Sequence, residues 1–298
     1  MRSISFRSFF LMASVSALSA ATPARRKVVV SGAGGQTGQH LFRKMLALPE
    51  EFDPVGLVRS EESKAALIEA GGVPESAVRV VDVTNTADVQ KVVEEHGSSA
   101  FCICSSAKPA PTGEMNEESG RPVFGFPNGM PEQVDWIGQK NQIDACTSDT
   151  HVVICSSMGG TDPNNFLNTI GRTTNSDGTT SGGNIIMWKR KAEMYLIDSG
   201  RPYTIVHPGG LIDEPGSERE LVLGVDDSQE GTESRTVPRE DVAEVMLQAL
   251  KNDAYVNRSF DLRAKPVDEE DASPTTDFQE LIESLNGKNC DYTLGESM

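Results

Sequence analysis

From Lys27 onward, short apolar runs alternate with longer stretches in which apolar residues recur every three or four positions. The runs Lys27–Ser31, Pro54–Arg59, Val78–Asp82, Ala100–Ser105, His151–Ser156 and Pro202–His207 have the length and density of strands buried on both faces. Between them the spacing predicts helices. Gln36–Leu48 carries Leu41, Met45 and Leu48 on one side; Glu61–Ala70, Asp88–His96 (with Thr84 as its cap), Glu132–Cys146 and Asn184–Asp198 follow. Further on, Glu220–Val225, Arg235–Val237 and Arg258–Arg263 read as short strands. Arg239–Lys251, started by Pro238, and Thr276–Leu285 read as helices. Strand and helix in regular alternation predict an α/β fold, a parallel sheet with helices on both faces. No internal repeat is present. Two segments break the rhythm: Ser106–Met130, rich in Pro, Gly and Glu, and the polar Asn164–Gly183. Such irregular stretches are the places for lids and insertions.

The first predicted strand runs directly into Gly32-Ala33-Gly34-Gly35-Gln36-Thr37-Gly38. Glycines at Gly32, Gly35 and Gly38 let the chain turn sharply and bring backbone N–H groups close to a pyrophosphate. Gln36 and Thr37 open the following helix, whose positive end faces the same anion. Strand, glycine turn and helix in this order predict a Rossmann-type dinucleotide site. The end of the second strand selects the nucleotide. An NAD site usually places a carboxylate there, whereas this chain has Arg59 and Ser60, suited to the 2′-phosphate of NADP(H). Asp82 and Val83 end the third strand, at the adenine edge. Ser105 and Ser106 end the fourth, near the ribose and pyrophosphate. Pro208, Gly209 and Gly210 follow the sixth and are expected to flank the nicotinamide. His207, just before them, reads either as a catalytic group or as a structural histidine at a strand end.

Composition narrows the partners. The 298 residues carry a formal charge of -17, which disfavours nucleic acid and anionic membranes as partners. A small-molecule substrate of unspecified class is expected, and self-association or a protein partner stays open. The five cysteines include no CxxC pair and the histidines are scattered, so no metal site is expected. Cys102 and Cys104 fall on one side of a strand, either as small buried hydrophobes or as a redox pair. Residues 1–26 differ from the rest. They hold Arg2, Arg7, Arg25 and Arg26, no acid, and an apolar run from Phe9 to Ala21 too short to span a membrane. This reads as a targeting segment, for a plastid first and a mitochondrion or the secretory pathway second, or else as an untargeted tail. Residues 27–298 then form a single nucleotide-binding domain, its substrate side built mainly from 106–130 and 208–298.

Longer runs carry a family resemblance. Val134–Ala145 (VDWIGQKNQIDA), Ser157–Thr161 (SMGGT), Trp188–Glu193 (WKRKAE) and Arg235–Val245 (RTVPREDVAEV) resemble the atypical, NmrA- and epimerase-like group of short-chain dehydrogenases/reductases, and within it NADP-binding proteins of plant chloroplasts. Gln36 stands where those proteins often carry arginine, and Thr173–Gly183 looks like an insertion. The superfamily's Tyr-x-x-x-Lys pair implies Lys191 as the lysine, holding the nicotinamide-ribose hydroxyls. Met187 then occupies the tyrosine position and has no proton to give. Tyr195 lies two turns further along. The resemblance also implies Ser156 or Ser157 as the serine. Asp135 stands in place of the asparagine, either as an acid/base or as a group that orients its neighbours. The expectation is an NADP(H)-dependent oxidoreductase or epimerase lacking the usual tyrosine; the alternative is a non-catalytic NADP(H) sensor or organelle assembly factor.

Overall fold

The computed structural model describes residues 24–115, 120–229 and 234–295. Most of the expected targeting segment, residues 1–23, lies outside the described residues. The strands in chain order are β1 (Arg26–Ser31), β2 (Phe52–Val58), β3 (Val78–Val80), β4 (Ala100–Ile103), β5 (Ala110–Met115), β6 (Pro122–Gly125) and β7 (His151–Cys155). They continue with β8 (Thr173–Thr174), β9 (Thr180–Ser181), β10 (Tyr203–Pro208), β11 (Gly210–Ile212), β12 (Leu221–Gly224), β13 (Thr236–Pro238) and β14 (Arg258–Ala264). The α-helices are α1 (Gln36–Leu46), α2 (Glu61–Glu69), α3 (Thr86–His96), α4 (Gln139–Asp144), α5 (Ile185–Asp198), α6 (Arg239–Lys251) and α7 (Phe278–Glu283).

Eight strands form one sheet in the order β12-β14-β10-β7-β4-β1-β2-β3, parallel throughout except for β12. The chain builds outward from β1 to β3, then returns to the other side of β1 with β4. The crevice between β1 and β4 at their carboxyl ends is therefore the topological switch point, where open α/β sheets bind ligands. Period-two alternation divides the core. Val28 and Val30 face Leu41, Phe42 and Met45 of α1 and Val242 and Met246 of α6. Val29, Phe101, Ile103, Val152 and Ile154 face Val89 and Val93 of α3, Ile143 of α4 and Leu196 of α5. Each fully buried aliphatic or aromatic side chain contributes roughly 1.5–3 kcal/mol, so the two layers hold the strand ends in fixed register.

Three local features depart from the sequence expectation. The cap of α3 is Asn85, which accepts from the Ala87 N–H at 3.1 Å; Thr84 instead donates to Asp82. The segment expected as one helix from Glu132 begins with a π-helical turn, Glu132–Gly138, before α4. The irregular segment 106–130 contains the antiparallel pair β5 and β6, hidden from periodicity by its prolines and glycines. The polar segment 164–183 is anchored as well. Asn184 opens α5 in a left-handed conformation (φ 59°) and offers no side-chain cap, and buried Asn168 supplies it, its Oδ1 accepting the Ile186 N–H at 3.0 Å.

Candidate functional site

Gly32 leaves β1 at φ +65°, and a Cβ there would lie 2.6 Å from the Cys104 carbonyl. One turn into α1, a Cβ on Gly38 would lie 2.2 Å from the Gly32 oxygen. Only glycine allows β1, β4 and the start of α1 to converge this closely. Gly35 precedes α1 without a side-chain cap, and the first turn holds no acidic residue. The helix therefore presents its positive end uncompensated, the arrangement that receives a phosphate. Thr37 is buried in that turn, and Gln36 reaches across to Asp213 at 3.3 Å.

A cavity of about 460 Å³ opens over this turn. Its walls include Gly32, Gly35, Gln36, Arg59, Asp82, Val83, Ser105 and Ser106. The site residues expected from the first four strands and the glycine turn are thus brought together, except that Thr37 and Gly38 sit behind the wall in α1 and the Ser60 hydroxyl accepts the Ser63 N–H to cap α2. Arg59 is exposed at the rim and makes no ion pair or hydrogen bond among the described residues. Asp82 holds the Thr84 N–H at 2.9 Å, so it fixes the turn after β3. Ser105 is held by Ser31 and Gln142. Lys108, missed in the sequence, adds a second exposed cation to the wall. The size of the cavity, the glycine cradle and the unengaged cation fit a dinucleotide.

The expected catalytic residues are placed differently. Lys191 lies 4.8 Å from the Trp136 ring and 5.2 Å from the Trp188 ring, away from the cavity walls. The inward cation is Lys189, almost completely buried, with its Nζ 2.8 Å from Asp135 Oδ1. Asp135 Oδ2 accepts the Ala107 N–H at 3.0 Å, and Ala107 sits between two cavity-lining residues. Asp135 lies within the π-helical turn and is completely buried. Burial pulls the Lys189 ammonium down, but the Asp135 carboxylate outweighs it and holds its pKa above the ordinary lysine value. Asp135 is thus the counter-ion of Lys189. Four residues before Lys189 stands Ile185, buried in an apolar cluster with Ala107, Phe126 and Ile186. Neither Ile185 nor Met187 can donate a proton.

Pro208, Gly209 and Gly210 do not reach the cavity. The Gly209 and Gly210 N–H groups bond the Leu262 and Arg235 carbonyls at 3.0 Å each, tying the chain after β10 to β14 and to the residue before β13. Ser157 donates to the Met158 carbonyl and borders a separate, smaller cavity. Ser156 donates to Glu193, whose other oxygen lies 3.0 Å from His207 Nε2. Cys102 of β4 and Cys104, just after it, pack against the same core layer as free thiols. Burial pushes Cys102 up to about 12 and Cys104 well above the ordinary value, so both are held as thiols.

The sequence pattern of a family described as NAD(P)H-binding matches residues 32–253, well over half of the chain. The chain belongs to this NAD(P)H-binding family. An uncharacterized chloroplastic protein of Arabidopsis thaliana is 44% identical over 279 residues, 92% of this chain and 80% of that protein. Sanguinarine reductase of Eschscholzia californica is 40% identical over 279 residues, 87% of this chain and 95% of that protein. Among solved structures, a putative NAD-dependent epimerase/dehydratase from Bacillus halodurans superposes with a TM-score of 0.62 at 20% identity, covering 87% of this chain and 100% of that one. That likeness is one of fold. Among the described residues no helix is long and apolar enough to cross a membrane.

Proposed function

We propose that the protein is an NADP(H)-dependent reductase of small electrophilic acceptors that take up hydride without a proton from a tyrosine. The observation that carries this reading is the buried Lys189–Asp135 pair beside the glycine cavity, with Ile185 in place of a proton donor. The free guanidinium of Arg59, with no carboxylate at the end of β2, supports NADP(H) over NAD(H). The glycine turn and the α1 N-terminus would hold the pyrophosphate, and Arg59 the 2′-phosphate. The bound nicotinamide supplies the hydride. Lys189 would give this side of the site a fixed ammonium donor, which Asp135 orients and neutralises. The apolar cluster of Ala107, Phe126, Ile185 and Ile186 keeps water from one wall. With no tyrosine to protonate a developing alkoxide, acceptors such as quinones suit the site better than simple ketones. The name of the Eschscholzia relative supports reduction of a small molecule.

The plastid reading rests on the acid-free, arginine-bearing residues 1–26 and on the chloroplastic name of the Arabidopsis relative. Import of the full chain into isolated plastids, followed by sequencing of the new N-terminus, tests it. For activity, NADPH oxidation is followed with quinones, aldehydes and nucleotide sugars in turn. Turnover in the quinone arm supports the reductase. Tight NADPH binding with no turnover in any arm overturns it in favour of a non-catalytic NADP(H) sensor.

A further inference from the structure

On the sheet face covered by α5, three side chains from distant parts of the chain converge. His207 and Asp261 are register partners on β10 and β14, and Cys290 comes from the C-terminal tail. His207 Nδ1 lies 3.6 Å from Asp261 Oδ1 and 3.6 Å from Cys290 Sγ, and all three donor atoms fall within 4.8 Å of one another. The Nδ1–Oδ1 separation is beyond hydrogen-bond range. It is close to the edge of a coordination tetrahedron, since metal–ligand bonds of roughly 2.0–2.3 Å put neighbouring donors roughly 3.3–3.8 Å apart.

Each of the three is also held from behind. His207 Nε2 faces Glu193 Oε2 at 3.0 Å, which turns Nδ1 toward the other two. Asp261 Oδ2 accepts the Asp227 N–H at 2.8 Å, leaving Oδ1 pointed at Nδ1. The Cys290 N–H bonds the Ser259 carbonyl at 3.2 Å. A carboxylate behind a histidine and a backbone donor behind a carboxylate are the supports that orient metal ligands. Asp227 itself is occupied, its carboxylate taking the Gly159 and Thr161 N–H groups at 2.6 and 2.8 Å. A cavity of about 10 Å³, bordered by Ser157, Gly160 and Thr161, adjoins the three donors. That is space for about one water.

We propose that His207, Asp261 and Cys290 form a three-ligand site for a zinc-type divalent cation, with its fourth position open to the small cavity. One imidazole, one thiolate and one carboxylate match the nitrogen, sulfur and oxygen preferences of zinc, and the two anions balance its charge. The cation would clip the tail at Cys290 onto β10 and β14, where Arg190 already holds it through the Asp291 and Leu294 carbonyls at 2.8 Å each. The site is independent of the dinucleotide cavity. It was invisible in the sequence because its ligands are 54 and 29 residues apart, in no metal-binding spacing.

Cobalt(II) is the probe. The full chain, stripped with chelator under reducing conditions, is titrated with Co²⁺. The expected result is uptake of one equivalent with a thiolate-to-cobalt charge-transfer band that zinc displaces. Cys290→Ser removes the band and weakens uptake at least tenfold, whereas Cys146→Ser, elsewhere in the core, leaves both unchanged. Zinc also shields Cys290 from alkylation in the unmutated protein, read by peptide mass, so the answer does not depend on a variant folding. A band that survives Cys290→Ser, uptake well below one equivalent, or alkylation of Cys290 at the same rate with and without zinc overturns the proposal.

Discussion

Arg59 and Lys189 are both cations on the nucleotide side of the sheet, yet their environments assign them different work. Arg59 is exposed at the cavity rim and engages nothing among the described residues, so its charge is available to a ligand. Arg59→Ala is expected to weaken NADPH binding tenfold or more while leaving NADH binding and the melting temperature unchanged. Fluorescence titration with the two nucleotides reads the difference, and equal losses for both would remove Arg59 from the 2′-phosphate. Lys189 is sealed against Asp135. Lys189→Met leaves a buried carboxylate unpaired, and breaking such a pair costs about 3–5 kcal/mol. The double variant Lys189→Met/Asp135→Leu is expected to regain most of that stability in urea unfolding without regaining turnover. If activity returned along with stability, the pair would be only structural. The sequence held a signal for Lys189 over Lys191. Ile185, Lys189, Ala192 and Leu196 fall on one helical stripe, and all are buried. The superfamily spacing, applied to Met187 and Lys191, selects a lysine that lies over the Trp136 and Trp188 rings.

At the scale of elements, the parts of the chain that obey a single period were legible and those that switch period were not. Strands β1, β2, β4, β7, β10 and β14 and helices α1, α5 and α6 lie where the apolar patterns put them. The ends of β1, β2, β3 and β4 carry the glycine turn, Arg59, Asp82 and Ser105 into one cavity because strand order alone brings them there. The π-helical turn before α4 was not legible, since one extra residue per turn shifts which side chain faces inward without changing composition. The anchoring of segment 164–183 was also hidden. Asn168 caps a helix that begins seventeen residues later by a contact made only in the folded chain. Asn168→Ala should therefore destabilise the protein by about 1 kcal/mol, the usual cost of losing a cap. Faster hydrogen exchange should appear at the start of α5, measured peptide by peptide. Uniform exchange across the helix would place the loss elsewhere.

For the molecule as a whole, a charge of -17 implies acid sensitivity from many carboxylates, but one buried histidine makes a separable contribution. His151 begins β7 and is almost fully buried between strands. Its Nε2 lies 2.9 Å from the Thr204 hydroxyl, and its Nδ1 lies 3.3 Å from an Arg26 guanidinium nitrogen. Burial, with the Arg26 charge adding to it, lowers its pKa from 6.5 to about 4. Between those two values the unfolded chain binds a proton that the folded chain refuses. Stability therefore rises with pH across this window, and the contribution of His151 is lost as the pH falls from 6.5 toward 4. By pH 5 the loss is on the order of 2 kcal/mol. His151→Gln keeps an amide that can meet Thr204 and removes the titration. Urea unfolding at pH 7 and pH 5 should then show the unmutated protein losing on the order of 2 kcal/mol more than the variant over that step. Equal losses would mean that His151 carries a proton in the folded state, and that the Arg26 guanidinium is turned away from it in solution. The test reaches the centre of the sheet, because the strand His151 begins lies between β4, which borders the nucleotide cavity, and β10, which carries His207.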